Sequence, residues 1–496
     1  MSKRKKRGAE PARRSESAPG LPPASATAAI LTTTPGSGAT SRGPTRQRLY
    51  DLPYSAQVPS PVRPELGLAS LVARAGHNAG YSIDLTLLDA ADHRLIRTGV
   101  LLAHRVLDGQ GEWYLGAPDW APLLPEERIV PMRQADLPAD LAELVRPFRR
   151  GALLTPVAAL HCERREFALR DASAQIVALL RDDKVTVRRN GLTTARYREV
   201  ILTPSGSGLD QKQTEWLSQC FGHAGATELE RLPRLVRRLG APATGPSDLP
   251  GPGPLLGGTF GQYLTQVIGG GARDLIREDL ALINGLSGAE TRLVETGFRL
   301  RTQIDGLRDV FDREWVEDVI EDLDWLTSPP TTGGYRARLH SQRYLALLDR
   351  LIAAARAPKT SVNAADPAGT TIDTLYRSAL TRFTSAANRL GSGGALTLWS
   401  GASAAAQDLS RIGAVRAVVR PTETAADQQR LAPALELLAQ VQRANRRAES
   451  IRESIEQLSP QDAFDAGRQF ESDATTSEAV RSKFVSRWPK IRKKLG

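Results

Sequence analysis

The chain changes its hydrophobic rhythm once, and that change limits the folds open to it. From about residue 68 to 204 the apolar residues come in short β-like runs, among them "YSIDLTLL", "TGVLLAHRVL", "EERIVPM", "QIVALL" and "DKVTVRR". Turn signals such as "LDGQG" and "RDASAQ" bound them. From residue 259 onward the pattern is helical, as in "HSQRYLALLDRLIAAARA" and "QQRLAPALELLAQVQRANRRAESIRESIEQL". Between the two lies "GAPATGPSDLPGPGPLLGG" (240–258), where Gly and Pro deny regular structure. Strands followed by helices predict an α+β protein: an antiparallel sheet curled toward a barrel, then an all-α bundle. One helix interrupts the strands, with Leu141, Leu144, Val145 and Phe148 at helical spacing, and a short helical segment occupies roughly 210–240.

At 496 residues the chain exceeds one ordinary core. The expected division is a disordered Pro/Ser-rich tail at 1–65, a β domain at 66–239, a linker at 240–258, a helical domain at 259–480 and a basic tail at 481–496. Residues 1–14 hold seven Lys/Arg against Glu10, and residues 481–496 hold seven with no acid, so the ends account for more than the whole net charge of +11. Basic ends attract polyanions such as nucleic acid, polyphosphate or an anionic surface. Two cysteines, Cys162 and Cys220, exclude a disulfide scaffold and fit a reducing cytosol. No apolar run approaches the roughly 18–20 residues of a membrane span, and no apolar stretch follows the basic N-terminus as a secretory signal requires.

Familiar phosphate and metal motifs are missing. There is no G-x-x-x-x-G-K-[ST], no G-x-G-x-x-G after a strand, and no metal spacing among the six histidines. "GGGAR" (269–273) reads as a break in a helical pattern.

Residues 84–105, "DLTLLDAADHRLIRTGVLLAHR", carry Asp89, Asp92, Leu95, Gly99, Leu102 and Arg105 at meaningful spacing. They resemble the CYTH family, the triphosphate tunnel metalloenzymes, and the resemblance continues through "GEWYLGAP", "ERREFALRD", "RDDKVTV" and "YREV" to about residue 205. It implies a closed antiparallel tunnel in which acids hold a divalent metal and bases grip a triphosphate. It also implies anion-binding roles for Arg105, Arg128, Arg164 and Arg198, with Lys184 beside them. The sequence departs from the family where the chemistry lies. No E-x-E pair stands in residues 1–80, Ala103 and Gly116 replace basic positions, His161 and Glu163 replace two more, and Glu199 is followed by Ile201. Hard cations need several oxygen ligands, so no metal ligands and no catalytic residues are assigned; Mg²⁺ or Mn²⁺ enters only if the tunnel is an enzyme.

In "GFRLRTQIDGLRDVF" (297–311), Leu300, Ile304, Leu307 and Phe311 form an apolar stripe. Arg301 and Arg308 share one edge of it, and Arg299 points elsewhere. Long arginines often lie along such an edge with their heads in water, and Asp305, Asp309 and Asp312 are near enough to pair with them. The segment resembles the polyphosphate-binding helix of the CHAD domain, a helical module that commonly follows a CYTH domain. Arg299 and Arg301 take two of its arginine places, and Thr291, Val294 and Phe298 stand where it has a histidine and two arginines. "DLSRIGAVRAVVR" is similar to a second copy through Arg411, Ile412 and Arg416, with Asp408 at the histidine place. The resemblance implies that Arg299, Arg301, Arg308, Arg411 and Arg416 contact a polyanion, because the planar guanidinium suits phosphate oxygens.

The expected function is non-catalytic binding of polyphosphate or a related polyanion in the cytoplasm, at granules or the nucleoid, with nucleic acid as a further contact of the basic ends. The alternatives are a metal-dependent triphosphatase in the tunnel, or a scaffold using the acidic stretch "REWVEDVIEDLDW" (313–325).

Overall fold

The structure, a computed structural model, describes residues 46–495 apart from 58, 75–79, 108, 135, 230–234, 252, 254–256, 331–332 and 455–458. The N-terminal basic run lies outside the described residues.

Ten antiparallel strands form the first half: β1 (Arg48–Leu52), β2 (Ser70–Ala73), β3 (Gly80–Asp89), β4 (Leu101–Leu107), β5 (Gln110–Gly116), β6 (Glu127–Pro131), β7 (Thr155–Arg170), β8 (Ile176–Arg189), β9 (Leu192–Pro204) and β10 (Thr227–Leu229). Their order is β10-β1-β9-β8-β7-β3-β4-β5-β6, with β2 also on β7. Asn190 and Gly191, both at positive φ, make the two-residue turn between β8 and β9 that suits the right-handed strand twist. The expected barrel does not close: β10 and β6 are the two edges, and among the described residues no ladder joins them. β1 falls within the stretch 1–65 assigned to disorder. Its Leu49-Tyr50-Asp51-Leu52 alternation gives it two usable faces, and it pairs with both β9 and β10.

Among the described residues four α-helices accompany the sheet: α1 (Arg94–Arg97), α2 (Ala139–Arg149), α3 (Gln211–His223) and α4 (Leu235–Leu239). One sheet face packs Leu102, Trp113 and Leu115 in a core with α2, and Tyr50, Leu180 and Val200 in another with α3. The opposite face carries Ile83, Leu85, Leu160 and Val185 against Leu235 and Leu239 of α4.

The second half is helical: α5 (Phe260–Leu264), α6 (Gly270–Ile283), α7 (Ala289–Gly306), α8 (Arg313–Thr327), α9 (Gly334–Leu339), α10 (Gln342–Arg356), α11 (Ala368–Asn388), α12 (Leu396–Val419), α13 (Pro421–Ser454) and α14 (Pro460–Lys493). The glycines of "GGGAR" do not break the helix. A π turn (Thr265–Gly269) joins α5 to α6, and a Cβ on Gly269 or Gly271 would sit 2.8 Å from Pro250 or 2.6 Å from Leu300. Close packing, not a stop, explains them.

The halves are not separated by a free linker. One core unites Leu95, Trp120 and Phe148 with Leu275, Leu293 and Leu348, and it includes Leu249 of the segment 240–258. Nor do residues 481–495 form a tail. Phe484, Trp488 and Ile491 are buried at helical spacing in the second core, with Phe383 and Trp399. No helix among the described residues is long and apolar enough to cross a membrane.

Candidate functional site

Register decides which charged residues of the sheet meet. Tyr81, Arg164, Asp183, Glu199 and Asp51 lie opposite one another across β3, β7, β8, β9 and β1. Period-two alternation therefore puts them on one face. Arg105 and Glu112, paired across β4 and β5, lie on the same face. Arg164 grips Asp183 through two hydrogen bonds, Nε to Oδ1 at 2.7 Å and Nη2 to Oδ2 at 2.9 Å. Burial opposes the charge on Arg164, but the Asp183 carboxylate more than offsets it and the pKa rises. Arg181 adds a second contact to Asp183 at 3.1 Å. Arg238 of α4 reaches Glu199 at 3.3 Å and Asp51 at 3.4 Å and lies over the Tyr197 ring. Arg105 donates from Nε to Glu112 at 2.6 Å.

Arg198 and Arg128 are not part of this group. Arg198 and Lys184 are register partners, one residue out of phase with Asp183 and Glu199, so they face the other way. Arg198 chelates Asp182 at 2.7 and 2.8 Å, and Arg128 pairs with Asp140. Of the residues that carry the CYTH resemblance, Asp89 accepts the backbone N–H groups of Ala90, Leu95 and Ile96, and Asp92 pairs with Arg94. The first is a turn-holding role and the second an ion pair.

The acids were the harder part to foresee. Asp51 lies on a strand hidden inside a Pro/Ser-rich stretch, and its signal was the alternation in "RLYDL". Asp182 and Asp183 stood in "RDDKV", whose alternation assigns them to opposite faces. Asp51, Asp183 and Glu199 form the carboxylate row that a tunnel metal would call for, yet each is held by a guanidinium. Among the described residues no group of three His, Cys, Asp or Glu is arranged to hold a metal ion. The residues present do not fit Mg²⁺ or Mn²⁺. Burial pushes Glu199 up to about 7, with Arg238 opposing the rise.

In the helical half the arginines meet around one acid. Arg301 lies 3.4 Å, Arg308 3.2 Å and Arg411 3.9 Å from Asp305. The helix expected over 297–311 ends at Gly306, where a Cβ would sit 2.4 Å from Val415 and 2.6 Å from the Arg411 carbonyl oxygen. That contact lets α7 and α12 touch and brings both arginine-bearing segments together. Arg308 therefore sits just beyond the helix. Two of these cations also have a partner elsewhere, Arg301 with Asp324 and Arg411 with Asp408, and the neighbouring Arg382 pairs with Asp309. Arg416 divides itself between Asp373 and Asp427, both at 2.9 Å, over the Tyr376 ring. Arg299 points away and pairs with Asp274. Beside the cluster runs a groove of about 1010 Å³ between α12 and α13, lined mostly by apolar residues and by Gln407, Gln428 and Gln442.

The last helix differs. Lys483, Arg487, Lys490 and Lys494 follow one another at +4, +3 and +4, are all exposed, and lie beside the buried stripe of Phe484, Trp488 and Ile491. Among the described residues none of the four has a carboxylate partner. The anchor beneath them is firm: Trp488 Nε1 donates to Asn388 Oδ1 at 2.8 Å, and Arg492 donates to the same oxygen.

No family model and no curated protein matches the chain. Among solved structures it is similar to PptA from Streptomyces chartreusis, at 18% identity and a TM-score of 0.32, over 47% of this chain and 100% of that one. It is also similar to the PH1819 protein from Pyrococcus horikoshii OT3, at 15% identity and a TM-score of 0.20, over 37% of this chain and 91% of that one. Likenesses this weak carry no argument.

Proposed function

We propose that the chain is a divergent CYTH–CHAD protein that binds inorganic polyphosphate, or a related linear polyanion, without turning it over. The exposed, unpaired cation stripe of α14 carries this reading. The arginines named from the resemblance are engaged by the chain's own aspartates and glutamates, so a polyanion reaching them must displace a carboxylate first. Lys483, Arg487, Lys490 and Lys494 meet no such competitor. They are held in line over about 16 Å by a helix rising about 1.5 Å per residue, on a face that core packing keeps fixed. Binding of this kind would place the protein at polyphosphate granules or the nucleoid.

Four phosphate contacts, at a slope of about 0.7 each as on single-stranded nucleic acid, give log K against log salt a slope of about −3. Between 50 and 200 mM salt the affinity then falls about fifty-fold. Labelled long-chain polyphosphate titrated against full-length protein and a K483Q/R487Q/K490Q/K494Q variant measures this. Loss of most of the slope in the variant is expected. Salt-insensitive wild-type binding, or equal binding by both proteins, would overturn the reading. Phosphate release from tripolyphosphate with Mg²⁺ or Mn²⁺ tests the enzymatic alternative. Turnover that disappears in Glu199→Ala would refute non-catalytic binding.

A further inference from the structure

At the junction of the two halves, the segment 240–258 inserts a carboxylate among arginines. Asp248 is 2% exposed. Arg97, at the end of α1, donates from Nη2 to both its oxygens at 2.8 and 3.1 Å. Arg356, at the end of α10, donates from Nε at 2.8 Å. Arg150, the residue after α2, brings Nη2 within 3.8 Å. Asp92 and Asp349 flank the group, and Arg94 pairs with both. Four guanidiniums thus face three carboxylates, leaving a net positive charge in a partly closed seam.

Two features are hard to reconcile with a purely structural ion network. Arg150 has φ 54 and ψ −123, a conformation that glycine adopts at little cost and arginine does not. The adjacent Gly151 shows that the loop had a glycine to spend there. That guanidinium pairs through Nε with Asp349 and approaches Asp248 through Nη2, but although Arg150 is 2% exposed its Nη1 has no hydrogen-bond partner among the described residues. A buried donor left unmet is costly, because it has given up water without gaining a partner. A carboxylate offers two oxygens in one plane, whereas a phosphate offers three or four in a tetrahedron and a second negative charge. Three arginines arriving from three directions suit the second shape better.

We propose that Arg97, Arg150 and Arg356 form a binding cradle for a phosphate dianion, free or at the end of a phosphate chain, and that Asp248 is its internal occupant. The cradle opens to solvent on the Arg356 side, whose side chain is 42% exposed. Asp248 stands on "GPSDLPG", where Gly245 lies against the Arg97 side chain and the next residue, Leu249, is buried in the core with its carbonyl accepting from Arg273. An arriving dianion takes the guanidiniums, completes the unmet Nη1 donor and releases the Asp248 carboxylate, loosening the loop ahead of the Leu249 anchor.

The experiment uses the full chain carrying K483Q/R487Q/K490Q/K494Q, so that the α14 stripe adds no background and the two binding surfaces are judged apart. Orthophosphate and tripolyphosphate are titrated calorimetrically, with chloride matching the ionic strength, into this protein with and without Asp248→Asn. Removing the competing charge is expected to tighten phosphate binding at least ten-fold, and adding Arg150→Gln is expected to cancel the gain. Equal affinity for both orthophosphate and tripolyphosphate with and without Asp248→Asn would overturn the proposal. Tightening for tripolyphosphate alone assigns the cradle to chain ends, and tightening for both assigns it to the phosphate group itself. Hydrogen exchange on the unaltered protein covers the case in which a variant fails to fold. Saturating pyrophosphate is expected to speed exchange of the amides in 243–249 several-fold, and unchanged exchange there would equally overturn the proposal.

Discussion

Trp488→Ala tests whether the basic C-terminus belongs to the folded body. Trp488 is 5% exposed. It stacks on Phe484 with centroids 5.8 Å apart, meets Phe383 edge-on at 5.4 Å, and donates its indole N–H to Asn388. Truncating a buried Trp to Ala costs about 3–5 kcal/mol through lost transfer energy and the cavity left behind. Here the lost indole N–H bond also leaves Asn388 short of a donor, although Arg492 still reaches that oxygen. The cost should therefore lie inside that range rather than beyond it. At about 2–4 °C per kcal/mol for a body of this size, the melting temperature falls by roughly 6–20 °C. Calorimetry on the full chain reads it, and Trp488→Phe, which keeps the ring contacts, should lose well under half as much. A freely hanging tail would show a shift below about 1 °C for either variant. That result would refute the packing argument and, with it, the fixed spacing of the cation stripe.

Three further outcomes follow from the same contacts. Gly306→Ala should destabilise by about 1–3 kcal/mol through overpacking against Val415 and the Arg411 carbonyl, measured by urea unfolding. Arg146 donates to the buried Asp279 at 2.7 Å across the junction, so Arg146→Met leaves that acid alone in the core and should cost about 3–5 kcal/mol, whereas Arg146→Met with Asp279→Leu should recover most of it. Burial raises Glu199 from its ordinary 4.5 to about 7. The folded state then holds a proton that the unfolded state has lost, so this contribution is full below pH 4.5 and disappears as pH rises through about 7. Urea midpoints measured from pH 5 to 8 should fall, and the fall should flatten in Glu199→Gln.

Much of the architecture was readable because it rests on period. Alternation marked the strands from β3 to β9, and the 3.6-residue repeat marked the long helices. What escaped was set by pairing across distance. β1 is five residues inside a Pro/Ser-rich stretch, and only β9 and β10 make it a strand. The segment 240–258 has the composition of a free linker, and Asp248 docks it because three arginines from other elements happen to converge there. The triple glycine at 269–271 has the local look of a break, and only Pro250, Ala355 and Leu300 show why Gly269 and Gly271 stand in a continuous helix. For the candidate site, the arginines were visible and their partners were not. Sequence neighbours such as Asp305 and Arg301 could be paired by spacing, but Arg301 with Asp324, or Arg238 with Glu199, depends on which elements pack together.

Those partners change what the surviving arginines mean. An arginine at a family's anion-binding place implies binding only if its charge is available. Two things can withhold that charge: an apolar residue at the place where the resemblance expects a base, as at Val294 and Phe298, or an acid that pairs with the base. The second is the more thorough here. Asp408, at the place where the CHAD resemblance expects a histidine, pairs with Arg411. On the sheet, Asp183 and Glu199 similarly claim Arg164 and Arg238. A surface ion pair contributes only about 0–1 kcal/mol and yields easily to a multivalent anion, whereas a buried bidentate pair does not. Arg164 and Arg198, both about 1% exposed and chelated on two oxygens, are therefore framework. Arg299 and Arg382, exposed and singly paired, could still be recruited. Exposure of the pair, not presence of the arginine, separates the two, and by that measure α14, with exposed cations and no pairs to break, is where a polyanion meets least resistance.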